Sequence, residues 1–309
     1  MIEVDHLSRY YGQHRAVDDV SFQIGDNTVV GFLGLNGAGK TTTLKVIAGL
    51  LPPSAGTVRV DGVDMATAPE SFRKSIGFLP ETPPLYVEQT VTEFLRFVGQ
   101  LRGVAAAEVE RRIPEVIERC QLKGREHWVI DELSHGYRKR VGIAATILHK
   151  PKLVILDEPI SGLDPEQIIE MRKVIRDLGK ECTVLVSSHI LPEVRQTCDR
   201  VLVLRKGRIV YAGAERDLHS HGEGHLVRVG VRGTSADLLA VLKAMPNVRS
   251  ATVEGEADGV VDVLVSLIGD QREELIAALV GAGQRVRRVE DARDDLEQTF
   301  LDLTREGAA

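Results

Sequence analysis

The segment GLNGAGKTT, residues 34–42, combines three closely spaced glycines with a lysine and two hydroxyl groups. It fits the pattern G-x-x-x-x-G-K-[ST] and lies between an apolar run and a helix-forming run. Such glycines allow backbone N–H groups to surround phosphate oxygens, and the helix amino terminus adds positive potential. In this chemistry Lys40 reaches the β- and γ-phosphates, while the Thr41 hydroxyl binds Mg²⁺. The alternative, a glycine turn that only caps a helix, is disfavoured by the strand–loop–helix context.

Two adjacent carboxylates, Asp157 and Glu158, end the apolar run KLVILDE at residues 152–158. Carboxylates at the end of a buried strand are costly unless they are paired or used. We therefore expect Asp157 to hold Mg²⁺ and Glu158 to act as the general base for an attacking water. A solvated strand end is the alternative.

A third segment, ELSHGYRKRVGIAATIL at residues 132–148, changes from polar to apolar along its length. Ser134 and Gly136 are expected to begin a helix there, so that a hydroxyl and backbone N–H groups form an anion site. In isolation the same residues are also consistent with a simple helix cap.

The segment LSHGY resembles the LSGGQ signature of ATP-binding cassette (ABC) ATPases, and Ser134 lies 23 residues before Asp157, as in that family. Other family motifs follow in the expected order, and together the resemblance covers residues 1 to about 220. These motifs are an aromatic residue at Tyr11 that resembles the adenine-stacking position, LPE at 79–81 (the Q-loop), SGLDP at 161–165 (the D-loop) and SSH at 187–189 (the switch histidine).

The resemblance implies an ATPase that uses ATP and Mg²⁺, and it assigns roles to individual residues. It implies catalytic roles for Lys40, Glu158 and His189, and Mg²⁺ ligation by Thr41, Asp157 and Glu81. The implied nucleotide contacts are Tyr11, Val17, Gly34, Asn36, Gly37, Ala38, Gly39, Lys40, Thr41, Thr42, Ser134, Gly136 and Asp164.

The sequence departs from the family pattern at two motifs. Glu81 replaces the usual glutamine of the Q-loop, which adds negative charge beside a triphosphate and puts its metal role in question. In the signature, His135 and Tyr137 replace glycine and glutamine. The glutamate Q-loop and the LSxGYRxR pattern resemble cassettes that serve ABC-2-type permeases, such as those of gliding-motility, copper-processing and multidrug export systems.

The resemblance also implies partners. In ABC proteins two cassettes pair head to tail, and each signature closes over the γ-phosphate held by the other P-loop. Because this chain has one P-loop and one signature, we expect a homodimer or paired cassette. We further expect the chain to drive a separate multi-span permease at the cytoplasmic face of the membrane, as part of an exporter.

Two other function classes are weighed against the exporter. A soluble ABC ATPase acting on ribosomes or nucleic acid is expected to carry two cassettes or long coiled coils, and neither feature is visible in this sequence. A regulator that no longer hydrolyses ATP is disfavoured by the intact Lys40, Asp157, Glu158 and His189. Direct binding to nucleic acid is not expected.

The length and composition of the chain limit its possible domains and function classes. A chain of 309 residues with 43% hydrophobic content is long enough for two domains, and a formal charge of −6 argues against coating nucleic acid through bulk positive charge. The three cysteines are widely spaced without a metal-binding pattern, which favours a reducing compartment. No run of about 18 apolar residues and no signal peptide is visible, so we expect neither a membrane span nor export.

The elements that position these motifs form a predicted α/β fold, a P-loop cassette with a largely parallel sheet over residues 1–220. The predicted strands of this domain are 28–35, 152–158, 182–189 and 200–213. Helical periodicity, including Phe94, Leu95, Val98 and Leu101, predicts a helical subdomain at about 82–135.

A polar segment, residues 215–225, precedes a second domain at 225–309. Its pattern predicts β-α-β-β-α-β, a small α+β ferredoxin-like fold. A last helix is predicted at 294–304, where DDLEQTFLDLT resembles the end of the carboxy-terminal extension found on many ABC-2-type cassettes. We expect this domain to support the dimer or to regulate it, although a chemically silent module is equally consistent with its sequence.

Overall fold

A computed structural model of the 309-residue chain describes residues 1–214, 225–257, 259–269 and 271–291. The contacts divide the chain into two compact units, Met1–Glu215 and Arg216–Ala309. The first unit begins with β1 (Ile2–Tyr11), β2 (His14–Ile24), β3 (Val29–Leu33), α1 (Lys40–Ile47), β4 (Ala55–Val60), β5 (Val63–Asp64), α2 (Pro69–Lys74) and β6 (Ile76–Leu79).

Three helices, α3 to α5, lie between β6 and the next strand of the same sheet. A capping box formed by Thr90 and Glu93 begins α3, where Phe94 and Leu95 are buried as the periodicity predicts and Leu101 is exposed. The remaining elements of this unit are α3 (Val91–Leu101), α4 (Ala106–Arg119), α5 (His135–Ile147), β7 (Leu153–Leu156), α6 (Pro165–Gly179), β8 (Thr183–Ser188), α7 (Leu191–Thr197), β9 (Arg200–Arg205) and β10 (Arg208–Ala214).

The larger sheet of the first unit has six strands in the order β10-β9-β3-β8-β7-β6. All neighbouring pairs are parallel except β9 and β10. The residues of β3, β7 and β8 are all buried, which is why these strands read as continuous apolar runs. Because β3, β7 and β8 are neighbours, the segments that follow them emerge at one edge of the sheet.

The prediction of a single strand at 200–213 is wrong. The chain reverses at Lys206 and Gly207, which both have positive φ, and β9 and β10 form an antiparallel hairpin. A long run of β-formers concealed this turn, because only the Lys-Gly pair marks it in the sequence.

A second sheet in the first unit was not anticipated by the largely parallel prediction. Its order is β2-β1-β4-β5, and all its pairs are antiparallel. Buried and exposed residues alternate along much of β2, as in a sheet with only one covered face. Such strands lack the continuous apolar runs on which the prediction depended.

The second unit forms a separate antiparallel sheet with its own core. The sheet order is β12-β13-β11-β14, and the core combines strand valines with Leu238, Leu242, Leu275 and Leu279 from two helices. The predicted helix at 294–304 lies outside the described residues. The elements are β11 (His225–Arg232), α8 (Ser235–Lys243), β12 (Val248–Ala257), β13 (Val260–Leu267), α9 (Arg272–Gly281) and β14 (Arg285–Asp291).

Candidate active site

The glycine-rich segment connects the end of β3 to the first residue of α1. Gly37 has φ +81° and Gly39 has φ +101°, which only glycine adopts without strain. A Cβ on Gly39 would lie 2.2 Å from the carbonyl oxygen of Ala16, and one on Gly34 would lie 2.6 Å from that of Leu204. These close approaches fix the loop against the neighbouring backbone, so that the free N–H groups of the loop and of the α1 amino terminus are available for an anion.

The loop borders a cleft of about 500 Å³ at the edge of the larger sheet. Nine of the residues predicted from the sequence line it, together with His14, Ala16 and Leu35, which were not predicted. The nine are Asn36, Gly37, Gly39, Lys40, Thr41, Thr42, Glu81, Glu158 and His189.

Lys40 lies at the floor of this cleft with its side chain almost fully buried. Its Nζ donates to the carbonyl oxygen of Gly34 at 2.7 Å and lies 3.6 Å from Glu158 Oε1. A partly desolvated ammonium interacts more strongly with nearby anions than one in water. The position is therefore suited to bind phosphate oxygens that enter the cleft.

Ser187, near the end of β8, contacts both of the acidic residues that follow β7. Its hydroxyl donates to Asp157 Oδ1 at 2.5 Å and accepts from the Glu158 N–H at 2.8 Å. Asp157 is only 3% exposed and does not line the cleft, whereas Glu158 does. One serine thereby contacts the carboxylate of Asp157 and the backbone of Glu158.

Glu158 and His189 come from neighbouring strands and meet in the cleft. His189 Nδ1 lies 3.0 Å from Glu158 Oε2, and the other carboxylate oxygen faces Lys40. Glu158 has φ +48°, a left-handed conformation that is strained for a side chain of this size. The carboxylate lies between an imidazole and an ammonium, where it is well placed to accept a proton from a bound water.

A third buried carboxylate, that of Glu193, lies in the first turn of α7. Ser188 Oγ donates to Glu193 Oε2 at 2.8 Å, and burial raises the pKa of Glu193 above its usual range. The serine hydrogen bond opposes that shift, and the nearby Glu158 charge adds to it. Sequence reasoning gave no role to Glu193, which belongs to no recognised motif, or to Ser187, which lies in the SSH motif where only His189 was assigned a role.

Several predicted residues lie outside the cleft lining. Tyr11 ends β1 and is exposed, with the Arg9 guanidinium 5.0 Å from the centroid of its ring. Tyr11 pairs with His14 across the β1–β2 hairpin, so the predicted aromatic position adjoins a residue that does line the cleft. Val17 is fully buried, and Gly34 and Ala38 also lie outside the lining.

The signature residues also lie outside the cleft lining. Ser134 caps α5 by accepting from the Tyr137 N–H, and a Cβ on Gly136 would lie 2.4 Å from Gln167 Oε1. Asp164 caps α6 by accepting from the Gln167 N–H at 2.9 Å. The amino termini of α5 and α6 are thus joined through one glutamine.

The oxygen donors at the site fit the chemistry of Mg²⁺. Thr41 and Glu81 line the cleft and offer a hydroxyl and a carboxylate, and Asp157 lies directly before Glu158 in the chain. Mg²⁺ prefers such hard oxygen ligands and usually retains waters and substrate phosphates in its coordination shell. In the part of the chain that the structure describes, no three His, Cys, Asp or Glu side chains are grouped to hold a metal by themselves.

Comparison with known proteins agrees with this geometry. The sequence model of the ABC transporter family matches residues 17–161. The chain is 34% identical to the ABC transporter ATP-binding protein YxlF of Bacillus subtilis (strain 168), over 97% of this chain and 98% of the relative. The chain belongs to the ABC transporter ATP-binding protein family. Members of this family hydrolyse ATP to drive transport.

This ABC transporter ATP-binding protein is also similar to a second relative and to a solved structure. It is 30% identical to the linearmycin resistance ATP-binding protein LnrL of Bacillus subtilis (strain 168), over 98% of each chain. A solved ATP-binding subunit of an ABC transporter superposes with a TM-score of 0.64 at 35% identity, covering 71% of this chain and 92% of that one. LnrL is similar over nearly the whole chain, the second unit included.

Within residues 1–214, 225–257, 259–269 and 271–291, no helix has the length and apolarity needed to cross a bilayer.

Proposed function

We propose that this chain is the ATP-hydrolysing subunit of an ABC-2-type exporter and works as a head-to-tail dimer on a separate permease. The observation that carries the proposal is the convergence of Lys40, Glu158 and His189 on one cleft, while Ser134 and Gly136 of the same chain lie outside it. Because the P-loop cleft and the signature residues of one chain lie apart, each ATP site would need the signature of a second cassette to be complete.

In the proposed reaction, the loop N–H groups and Lys40 hold the β- and γ-phosphates of ATP. Glu158 Oε2 takes a proton from the attacking water, and His189, 3.0 Å away, holds the carboxylate in position. Thr41 and Glu81, which line the cleft, are residues that would hold Mg²⁺, and the buried Asp157 would act on it through bound water. When bound, Mg²⁺ neutralises charge that develops on the phosphates.

The signature would act in the other half of the dimer. The amino terminus of the 13-residue helix α5 carries the Ser134 hydroxyl and unpaired N–H groups, which favour an anion. Asp164, at the start of α6, is adjacent to it through Gln167. ATP bound between the two cassettes would join them, and hydrolysis would separate them, which converts phosphate chemistry into movement.

The helices between β6 and β7 offer a surface for the permease. Tyr86, Phe97, Leu101 and Trp128 are exposed there, and the Tyr86 ring lies 5.2 Å from that of Phe97 in an edge-to-face arrangement. Exposed aromatic and aliphatic side chains on one segment of the chain favour burial against a partner. Docked in this way, the chain would lie at the cytoplasmic face of the membrane without crossing it.

The second unit is proposed to be a ferredoxin-like domain that supports or regulates the dimer. Its β-α-β-β-α-β element order and its strand order β12-β13-β11-β14 support that fold. The similarity to LnrL over 98% of each chain supports a role shared with resistance-type transport cassettes. Export as the direction of transport also depends on this similarity.

The test is affinity purification of the full-length chain from its own cells in mild detergent. We expect a multi-span membrane protein in stoichiometric amount. Recovery of the chain only with itself, with ribosomes or with DNA-bound proteins would overturn the transporter proposal. Leu101→Glu is expected to lose the membrane protein, whereas Val210→Glu, a matched change at an exposed position on β10, is expected to retain it.

A further inference from the structure

Lys139 is a buried lysine in the middle of α5 that none of the recognised motifs explains. It is 2% exposed, and its Nζ donates to the carbonyl oxygens of Glu158 and Ser161, each at 2.8 Å. Both acceptors are neutral peptide groups. Burying an ammonium is costly, so its location indicates a use that a neutral side chain would not serve equally well.

The surroundings of Lys139 compensate for part of this cost. Burial lowers the pKa of Lys139, and the carboxylates of Glu81, Glu158 and Glu193 act in the opposite direction. These carboxylates include two residues that line the ATP cleft. Lys139 therefore lies close enough to Glu81 and Glu158 for their charges to stabilise its ammonium group.

The Glu158 backbone is held from two sides. Its N–H donates to Ser187 Oγ at 2.8 Å, and its carbonyl oxygen accepts from Lys139. With φ +48°, this residue would relax to an ordinary conformation if its surroundings did not fix it. Relaxation would turn the carboxylate away from the position in which Oε2 meets His189 and Oε1 faces Lys40.

We propose that Lys139 is a positioning residue for ATP hydrolysis, which fixes the strained backbone of Glu158 and thereby aims its carboxylate at the attacking water. This inference rests on the proposed role of Glu158 as the general base. Lys139 itself does not line the cleft; it acts through the peptide carbonyls at Glu158 and Ser161.

The experiment measures steady-state ATP hydrolysis by the full-length chain in four forms: wild type, Lys139→Met, Lys139→Gln and Lys173→Met. Methionine keeps the approximate length of the side chain and removes all donors, while glutamine keeps a neutral donor. Lys173, exposed on α6, is the matched control.

We expect Lys139→Met to lower kcat about ten- to hundredfold with little change in the KM for ATP, because a small misplacement of a catalytic group is costly. Lys139→Gln should restore part of the loss.

A double variant separates positioning from a general structural role. If Lys139 acts through Glu158, adding Lys139→Met to Glu158→Gln lowers the residual rate no further. A further drop of similar size in the double variant would overturn the proposal. So would a kcat for Lys139→Met within about threefold of the Lys173→Met control. Should Lys139→Met fail to fold by thermal denaturation, Lys139→Leu, which also removes every donor, takes its place, and a folded Lys139→Leu with the wild-type kcat would equally overturn the proposal.

The same set of variants distinguishes this inference from the function on which it rests. Glu158→Gln with the wild-type rate would refute the role of Glu158 as the base. An inactive Glu158→Gln beside a fully active Lys139→Met would refute the role of Lys139 alone.

Discussion

The imidazole of His189 lies against the carboxylate of Glu158, with Nδ1 3.0 Å from Oε2. The two residues follow neighbouring parallel strands, β8 and β7, and their meeting depends on the register of those strands. Because Glu158 also faces Lys40 at 3.6 Å, one carboxylate joins the phosphate-binding loop to the switch histidine.

Glu158→Gln removes the proton acceptor and preserves the shape of the side chain. We expect ATP hydrolysis to fall roughly 100-fold or more, because general base catalysis contributes about that much. ATP binding should be retained, since the phosphate contacts come from the loop and Lys40. With ATP and Mg²⁺ the variant should accumulate as a dimer, as measured by analytical ultracentrifugation. A variant that stays monomeric at saturating ATP and Mg²⁺ would count against the paired site.

Lys40→Ala removes the buried ammonium at the floor of the cleft. We expect the Kd for ATP to rise roughly ten- to hundredfold, because a hydrogen bond to a charged group is worth about 1.5–3 kcal/mol. Titration calorimetry with ATP measures the change. Lys45→Ala, near the end of the same helix, is the control and should bind like the wild type. Equal affinities for the two variants would exclude Lys40 from phosphate binding.

Gly39→Ala tests the packing of the glycine-rich loop. The added Cβ meets the Ala16 carbonyl oxygen at 2.2 Å, and the φ of +101° is strained for alanine. We expect the free energy of unfolding to fall by about 1–3 kcal/mol, together with loss of ATP binding. Urea denaturation measures the first effect. Gly25→Ala, where no atom lies within 4 Å of the added Cβ, is the matched control. Similar losses in both variants would contradict the packing argument.

The local part of the site could be predicted from the sequence because its geometry is local. The spacing of Gly37, Gly39, Lys40 and Thr41 determines a loop followed by a helix terminus, and all four residues line the cleft. Glu158 could be placed beside them because the carboxyl ends of parallel strands emerge at one edge of a sheet, whereas His189 was assigned through the resemblance to ABC ATPases.

Cleft residues that come from half-covered strands could not be predicted in the same way. His14 and Ala16 line the cleft from an antiparallel hairpin, whose alternating residues carry no chemical signature. Ser187 and Lys139 orient Glu158 from β8 and α5, and their roles depend on tertiary contacts with backbone atoms. Such contacts are determined by packing and leave no spacing pattern in the chain.

His149 is a largely buried histidine that follows α5. Its Nε2 lies 3.1 Å from the Ile76 carbonyl oxygen, and Nδ1 has no hydrogen-bond partner among the described residues. Burial lowers the pKa of His149 from 6.5 to about 4, and the charges of Arg102 and Arg112 contribute in the same direction. The Ile76 hydrogen bond only partly opposes them.

This shift makes stability depend on pH. Between about 6.5 and about 4 the unfolded chain binds a proton at His149 and the folded chain does not, so the free energy of unfolding falls as the pH falls. The loss from this residue is at most about 3 kcal/mol. His149→Gln, whose amide can still donate to Ile76, should remove this contribution and lose less stability than the wild type over that range. Urea denaturation at several pH values measures the difference. His127→Gln, at an exposed position, is the control, and equal pH dependence in the wild type and His149→Gln would contradict the burial of a neutral imidazole.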